Sequence, residues 1–272
     1  MSEIRIQSVD SLEDYRSVEE LQKEVWQFDE RDIVPIAHLV AAKETGGILL
    51  GAYRESRMVG FVYGFVGLEE GSPAIHSHML AVAPDSQGQN LGFVLKRAQR
   101  DQALRQGIDL VTWTFDPLQS LNAYLNIVKL GVIAVAYRVN FYGQTSSTLH
   151  RGIGTDRLWV RWELDSERVE DRIAGKDLPL LTFEETEALV EGDLHGEPSL
   201  KNVDVMSGCP VSIQVPGNIG ELQASAPELA VAWREATRAA FCRAFDAGYY
   251  VTDFRVLPGP AGSHGTYFLS RS

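Results

Sequence analysis

Two histidines one residue apart, His76 and His78, stand inside a largely apolar run from about Ala74 to Ala83. On an extended strand, residues two apart face the same side, so the two imidazoles share a face. An imidazole titrates near neutral pH, which suits it to accept a proton from a nucleophile. The same spacing also suits a pair of partly buried polar residues with no chemistry. Pro84 ends the run, and the polar loop Asp85-Ser86-Gln87-Gly88-Gln89-Asn90 follows. Leu91, Val94, Leu95 and Ala98 then repeat at helical spacing. A strand, a small-residue loop and a helix start together suit an anion. First-turn N–H groups have no partner within their helix, and the helix dipole places partial positive charge there. Gly88 and Gly92 let a phosphate approach the backbone, and Asn90 tolerates left-handed geometry. An ordinary strand-to-helix turn would use the same residues.

The elements that must position these groups read as follows. Ile4 and Ile6 alternate with polar residues as a strand. Ser11, with Asp14 three residues on, starts a helix bearing Leu12, Tyr15, Val18, Leu21, Val25 and Trp26. Asp32 to Pro35 breaks it, and Ile36 to Thr45 is a second helix closed by Gly46-Gly47. Ile48 to Tyr53 and Met58 to Val66 form a hairpin, with Gly60, Gly64 and Gly67 marking close approach on one face. The histidine strand, the loop and its helix come next, then an apolar strand Leu110 to Phe115, a helix Leu118 to Leu130 and a strand Val132 to Phe141. Further on, Leu158 to Leu164 is a strand, Asp165 to Gly175 a charged connection, Glu184 to Glu191 a short helix and Gly192 to Ser207 a loop. Val211 to Val215 is a strand, Pro227 to Ala247 the strongest helix of the second half, and Tyr249 to Leu257 with Thr266 to Leu269 a closing hairpin.

The loop has neither the Lys-Ser/Thr pair of a P-loop nor the glycine spacing of a dinucleotide fingerprint. It resembles the coenzyme A loop of the GNAT superfamily of N-acyltransferases. That loop follows a strand ending Val-x-Pro and reads Arg or Gln, Gly, x, Gly, x, Gly or Ala. Here Val82-Ala83-Pro84 precedes Gln87-Gly88-Gln89-Asn90-Leu91-Gly92, with Asn90 where the family usually has glycine. The element order β, α, α, β, β, β, α, β, α, β from Ile4 to about Gly143 is that of a GNAT domain. The runs Trp113-Thr114-Phe115-Asp116-Pro117, Asn122-Ala123, Lys129-Leu130-Gly131 and Asn140-Phe141-Tyr142-Gly143 are similar to a group of predicted acetyltransferases. The resemblance implies an α/β (α+β) fold: a mixed, mostly antiparallel sheet flanked by helices. Residues 1–165 would form the acyltransferase domain. Residues 166–272 would form a smaller α+β extension, either a wall of the acceptor site or a dimer contact.

The implied chemistry is transfer of an acetyl or succinyl-like group from acyl-coenzyme A to the amine of a small molecule such as an amino acid. The backbone of Leu80, Ala81 and Val82 would pair with the pantetheine, and the amides from Gln87 through Gly88, Gln89, Asn90 and Leu91 to Gly92 would hold the diphosphate. A donor near Leu80 would polarise the thioester carbonyl. His76 or His78 would be the base, with Glu69 or Glu70 second in line because some relatives use a carboxylate there. The usual acid, a tyrosine four residues before Gly131, is replaced by Ile127, and Tyr124 one turn earlier on that face could substitute. Asp116 lies at the mouth of the sheet where ligands collect, or simply caps the next helix. Asn122 and Asn126 could meet pantetheine amides. Lys96, Arg97 and Lys129 could meet the 3′-phosphate, or be solvated helix faces. A non-catalytic coenzyme A-binding protein on the same fold is the alternative.

Composition sets the outer limits. A net charge of -12, from 25 Lys and Arg against 37 Asp and Glu, argues against nucleic acid and anionic membrane as partners. No apolar run reaches the ~18 residues of a membrane span, and the N-terminus lacks the apolar stretch of a signal peptide. Cys209 and Cys242 have no metal-site spacing and read as reduced thiols of a cytoplasmic protein, and no metal is expected. A homodimer is a further expectation.

Overall fold

The computed structural model describes residues 3–143, 152–176, 181, 183–259 and 262–271 of the 272-residue chain. They form two compact units. The first runs Met1–Trp113 and takes in Glu163–Asp165, and the second comprises Thr114 onward apart from that return. The compact units thus part at Trp113/Thr114, well before the functional division expected at residue 165.

In the first unit, β1 (Ile4–Ser8), β2 (Ile48–Arg54), β3 (Arg57–Glu69), β4 (Ser72–Val82) and β5 (Leu110–Phe115) form a sheet in that order. All neighbours are antiparallel except β4 and β5, which run parallel. Helix α1 (Leu12–Trp26) starts on the expected capping box: the Asp14 N–H donates to Ser11 Oγ at 3.1 Å, and the Ser11 N–H donates to Asp14 Oδ2 at 3.3 Å. Helices α1 and α2 (Ile36–Glu44) cover one face of the sheet, burying Tyr15, Val18, Leu21 and Leu39 on Leu49, Phe61, Tyr63, Met79 and Ala81. Helix α3 (Leu91–Arg105) covers the other face, with Leu91 and Leu95 on Ala52, Val59 and Val62.

A β-bulge organises the centre of this sheet. Tyr63 pairs with Met79 and Gly64 with Ser77, so His78 is the extra residue on β4. The bulge shifts the alternation: Ile75 and Ser77 face α3, whereas Met79 and Ala81 face α1 and α2. Glycine is required opposite the bulge. A Cβ on Gly64 would stand 2.7 Å from Ile75 Cγ2 and 3.0 Å from both the His76 carbonyl oxygen and Gln99 Nε2. Gly64→Ala should therefore destabilise the protein by about 1–3 kcal/mol through overpacking, read as a shift in the urea midpoint with an unchanged slope. A Cβ on Gly60 would meet the Ala81 carbonyl at 2.8 Å, so two of the three glycines mark close approach, while Gly67 faces open space.

The second unit has the strand order β7-β6-β11-β12-β10-β8-β9. Its strands are β6 (Ile133–Arg138), β7 (Arg157–Glu163), β8 (Glu187–Gly192), β9 (Pro198–Leu200), β10 (Val211–Pro216), β11 (Tyr250–Leu257) and β12 (His264–Ser270). Four expectations are corrected here. The helix expected over Leu118 to Leu130 is a single α-turn, α4 (Ser120–Ala123), that widens into a π-turn, Tyr124–Lys129. Its mark is the Leu130 N–H donating five residues back to Leu125 at 3.0 Å. The strand expected to reach Phe141 ends at Arg138, because Asn140 takes φ 47 and its N–H donates to Asp156. The helix expected over Glu184 to Glu191 is strand β8: Leu189 and Val190 are fully buried, and pairing along β10 overrides the polar, helix-favouring composition. The loop expected over Gly192 to Ser207 contains strand β9. Helices α5 (Glu167–Ile173) and α6 (Ile219–Ser225) are short, and α7 (Pro227–Asp246) buries Trp233, Ala240, Phe241 and Ala244 as expected.

Candidate functional site

The first unit carries the loop, the strand edge and the histidines. Strands β4 and β5 pair only at Ile75–Val111 and His76–Thr112, and the ladder stops there. Beyond that fork, β4 keeps β3 on one side through Val82. The Ala83 N–H donates to Val59 across β3 at 2.9 Å, so by alternation the backbone of Leu80 and Val82 faces the other, open side. The Gln87 amide bridges to the Val82 carbonyl at 3.2 Å and braces the loop against the strand.

The loop has the expected backbone. Gly88 has φ 76 and Asn90 φ 62, so the chain turns left-handed before α3. The Asn90 side chain caps nothing, while its carbonyl accepts from Val94 N–H at 3.2 Å. Among the described residues, the amides of Gly88, Gln89, Leu91 and Gly92 have no protein acceptor. Two arginines that sequence reasoning missed flank this loop: Arg54 donates to Gln89 Oε1 at 2.7 Å and Arg57 to Asp85 at 2.6 Å. The Arg57 contact, followed by one from Ser86, draws the Asp85 carboxyl below the ordinary carboxylate range.

His76 and His78 come together as expected, with ring centres 6.5 Å apart. Phe65 stacks obliquely on both, and Tyr63 meets the edge of His78 at 6.1 Å and of His38, on α2, at 6.2 Å. The sequence signal for this nest was the period of two in Phe61, Tyr63 and Phe65. Tyr63 is fully buried and its hydroxyl lacks a partner, and desolvation pushes it up to about 12. The two imidazoles differ. His76 is half-buried and its Nδ1 is 3.1 Å from Thr112 Oγ1. Burial, the neighbouring His78 and then Lys96 bring it down to about 4. His78 is exposed on one side, and desolvation by its aromatic neighbours, then His38, lowers it too.

Other expected residues fall elsewhere. Glu69 ends β3, four residues beyond Phe65, roughly 13 Å along the strand from the His76 level. Lys96 does not reach the surface to meet a phosphate: it is 2% exposed and points into the sheet, whereas Arg97 is exposed. In the second unit, Tyr124 and Ile127 do not share a face. The wider π-turn leaves Tyr124 41% exposed while Ile127 is fully buried. Asn122 is exposed and Asn126 buried. Asp116 is buried, with both carboxylate oxygens 2.7 Å from Arg234 Nη2 and Oδ1 accepting from the Leu118 N–H. Among the described residues no cluster of three or more His, Cys, Asp or Glu is placed to hold a metal, and no helix is long and apolar enough to cross a membrane.

Residues 9–125 match the family model described as acetyltransferase (GNAT) family, so the chain carries a GNAT acetyltransferase domain over that span. No curated protein matches the chain. Among solved structures, it is similar to the ribosomal-protein-S18-alanine N-acetyltransferase of Escherichia coli, at 16% identity over 60% of this chain and 96% of that one, TM-score 0.48. It is also similar to Arabidopsis thaliana Naa50 bound to a bisubstrate analogue, at 16% identity over 58% and 97%, TM-score 0.46. A third is the paia N-acetyltransferase of Thermoplasma acidophilum in complex with coenzyme A, at 14% identity over 59% and 99%, TM-score 0.40.

Proposed function

We propose that this protein transfers an acetyl or succinyl-like group from acyl-coenzyme A to the amine of a small molecule such as an amino acid. The observation that carries this reading is the open edge of β4 running directly into unpartnered loop amides. An extended pantetheine would add to the edge at Leu80 and Val82, and the diphosphate would sit on the amides of Gly88, Gln89, Leu91 and Gly92. Two residues past the bulge at His78, the Leu80 N–H on the open edge would be the backbone donor for the thioester oxygen. In the reaction the amine nitrogen bonds to the thioester carbonyl carbon. The carbon–sulfur bond breaks, the amine proton passes to His78, and coenzyme A departs as thiolate. His78 is the better base of the pair, because His76 is engaged with Thr112 and burial brings it down to about 4. Buried Ile127 in the usual acid position fits a departure without an acid. The same feature favours a second reading, a coenzyme A sensor without turnover, which release of free thiol in the presence of an amine panel would exclude.

Gly92→Asp tests the loop. An aspartate in the first turn suits the dipole of α3 and should leave thermal stability unchanged or raised. The same charge opposes a diphosphate among those amides. Acetyl-CoA affinity by calorimetry should fall at least about tenfold, or ~1.4 kcal/mol. Undiminished binding, or a wild-type protein that binds no acyl-CoA, overturns the proposal.

A further inference from the structure

The fork between β4 and β5 has a fixed point on its α3 side. If the ladder continued by one rung, Ser77 would face Trp113. Lys96 lies over that rung. Its side-chain amine nitrogen donates to Ser77 Oγ at 2.9 Å and to Gln99 Oε1 at 2.8 Å, and lies 3.6 Å from the centre of the Trp113 ring. Ser77 Oγ closes a triangle by donating to Gln99 Oε1 at 2.9 Å. Lys96 is 2% exposed, Ser77 7%, Trp113 6%, and Gln99 is fully buried. On the opposite face the last rung is joined by His76 and Thr112 at 3.1 Å. The fork therefore opens at a rung held on both faces, and Lys96 touches both of its arms.

A buried lysine is costly, since burial disfavours the charged form and draws its pKa well below the ordinary value. A methionine would fill the same space without that penalty, so packing alone does not account for the amine. We infer that Lys96 is a positioning residue that sets the opening between β4 and β5, and so places the acyl end of the co-substrate against the bulge at His78. The inference rests on the acyl-transfer reading, but its geometric half can be tested without turnover. By holding Ser77 toward α3 and lying against the face of Trp113, the amine keeps the two side chains from closing over each other.

The test is Lys96→Met, with Ser77→Ala as a milder change of the same contact. Hydrogen exchange should show the amides from Ser77 to Leu80 protected at least about tenfold more in Lys96→Met than in wild type, as the strands close. Affinity for coenzyme A, held by the loop, should stay within threefold, while affinity for acetyl-CoA and kcat each fall at least tenfold. Ser77→Ala should move the same quantities in the same direction by three- to tenfold. A purely structural lysine predicts something else: a lower melting temperature, with both affinities falling in step and exchange unchanged or faster. That outcome overturns the inference, as does kcat within twofold of wild type. If Lys96→Met does not fold, the Ser77→Ala exchange pattern decides alone. Wild-type protein that binds no coenzyme A sinks the functional reading, and the exchange result still decides whether Lys96 holds the fork.

Discussion

Arg234→Met should destabilise the protein by about 3–5 kcal/mol, measured by urea unfolding, without altering the loop from Gln87 to Gly92. Arg234 and Asp116 are each about 2% exposed at the side chain, and their contact is 2.7 Å long. Removing the cation leaves the Asp116 carboxylate out of water without the Arg234 guanidinium, while the Leu118 N–H still donates to it. Arg234 also donates to the Ile153 carbonyl at 3.0 Å, which loses that donor too. Burial is the largest influence and would lower the pKa of the guanidinium, but the charge and hydrogen bond of Asp116, with Tyr137 and Asp156, together outweigh it and hold it above its usual value. The double variant Arg234→Met, Asp116→Leu should recover most of the loss, because the costly state is a buried carboxylate that has lost its guanidinium rather than the absence of the pair. Asp116→Asn discriminates its two expected roles. If the carboxylate serves the fold, stability falls and acyl-CoA affinity holds. If it contacts the cofactor, affinity falls first.

Asp116 shows where sequence reading stops. Asp-Pro after an apolar strand marks a strand end and a helix start, and both are present. Its partner lies 118 residues away on α7, and no local signal joins the two. Lys96 failed for a related reason. On a helix wheel it reads as a surface cation, and only the spacing of α3 from Ser77 and Trp113 turns it inward. By contrast, the capping box at Ser11, the stop at Pro84 and the left-handed turn at Asn90 were legible because each is decided by the residues themselves. The π-turn after Ala123 was hidden, since one extra residue in a turn leaves no mark in hydrophobic spacing but rotates Tyr124 out of the face assigned to it. The bulge at His78 was hidden likewise. The two histidines do lie together, yet Met79 and Ala81 join their face, which strict alternation forbids.

That bulge sets the two imidazoles apart in the strand, and under the proposed reaction this gives the largest expected kinetic effect. His78→Ala should lower kcat/KM by about 10²–10⁴-fold, the usual range for a positioned general base. His76→Ala should cost less, because His76 joins Thr112 at the last rung rather than standing at the bulge. The pH profile carries the sign. A base works when unprotonated, so activity rises through its pKa and is full above it. Burial, then the charge of His38, lowers His78 below its ordinary 6.5, so activity should be full at neutral pH and decline only on acidification below that value. Were His76 the base, the decline would wait until about pH 4. His38→Ala removes one of the influences that lower His78, and should move the acid limb upward while leaving the plateau near wild type. Measuring kcat/KM from pH 4 to 8 for the three variants decides the matter. An acid limb that survives in His78→Ala, or a loss below twofold, removes His78 from the proton transfer and returns the role to another group on the same face.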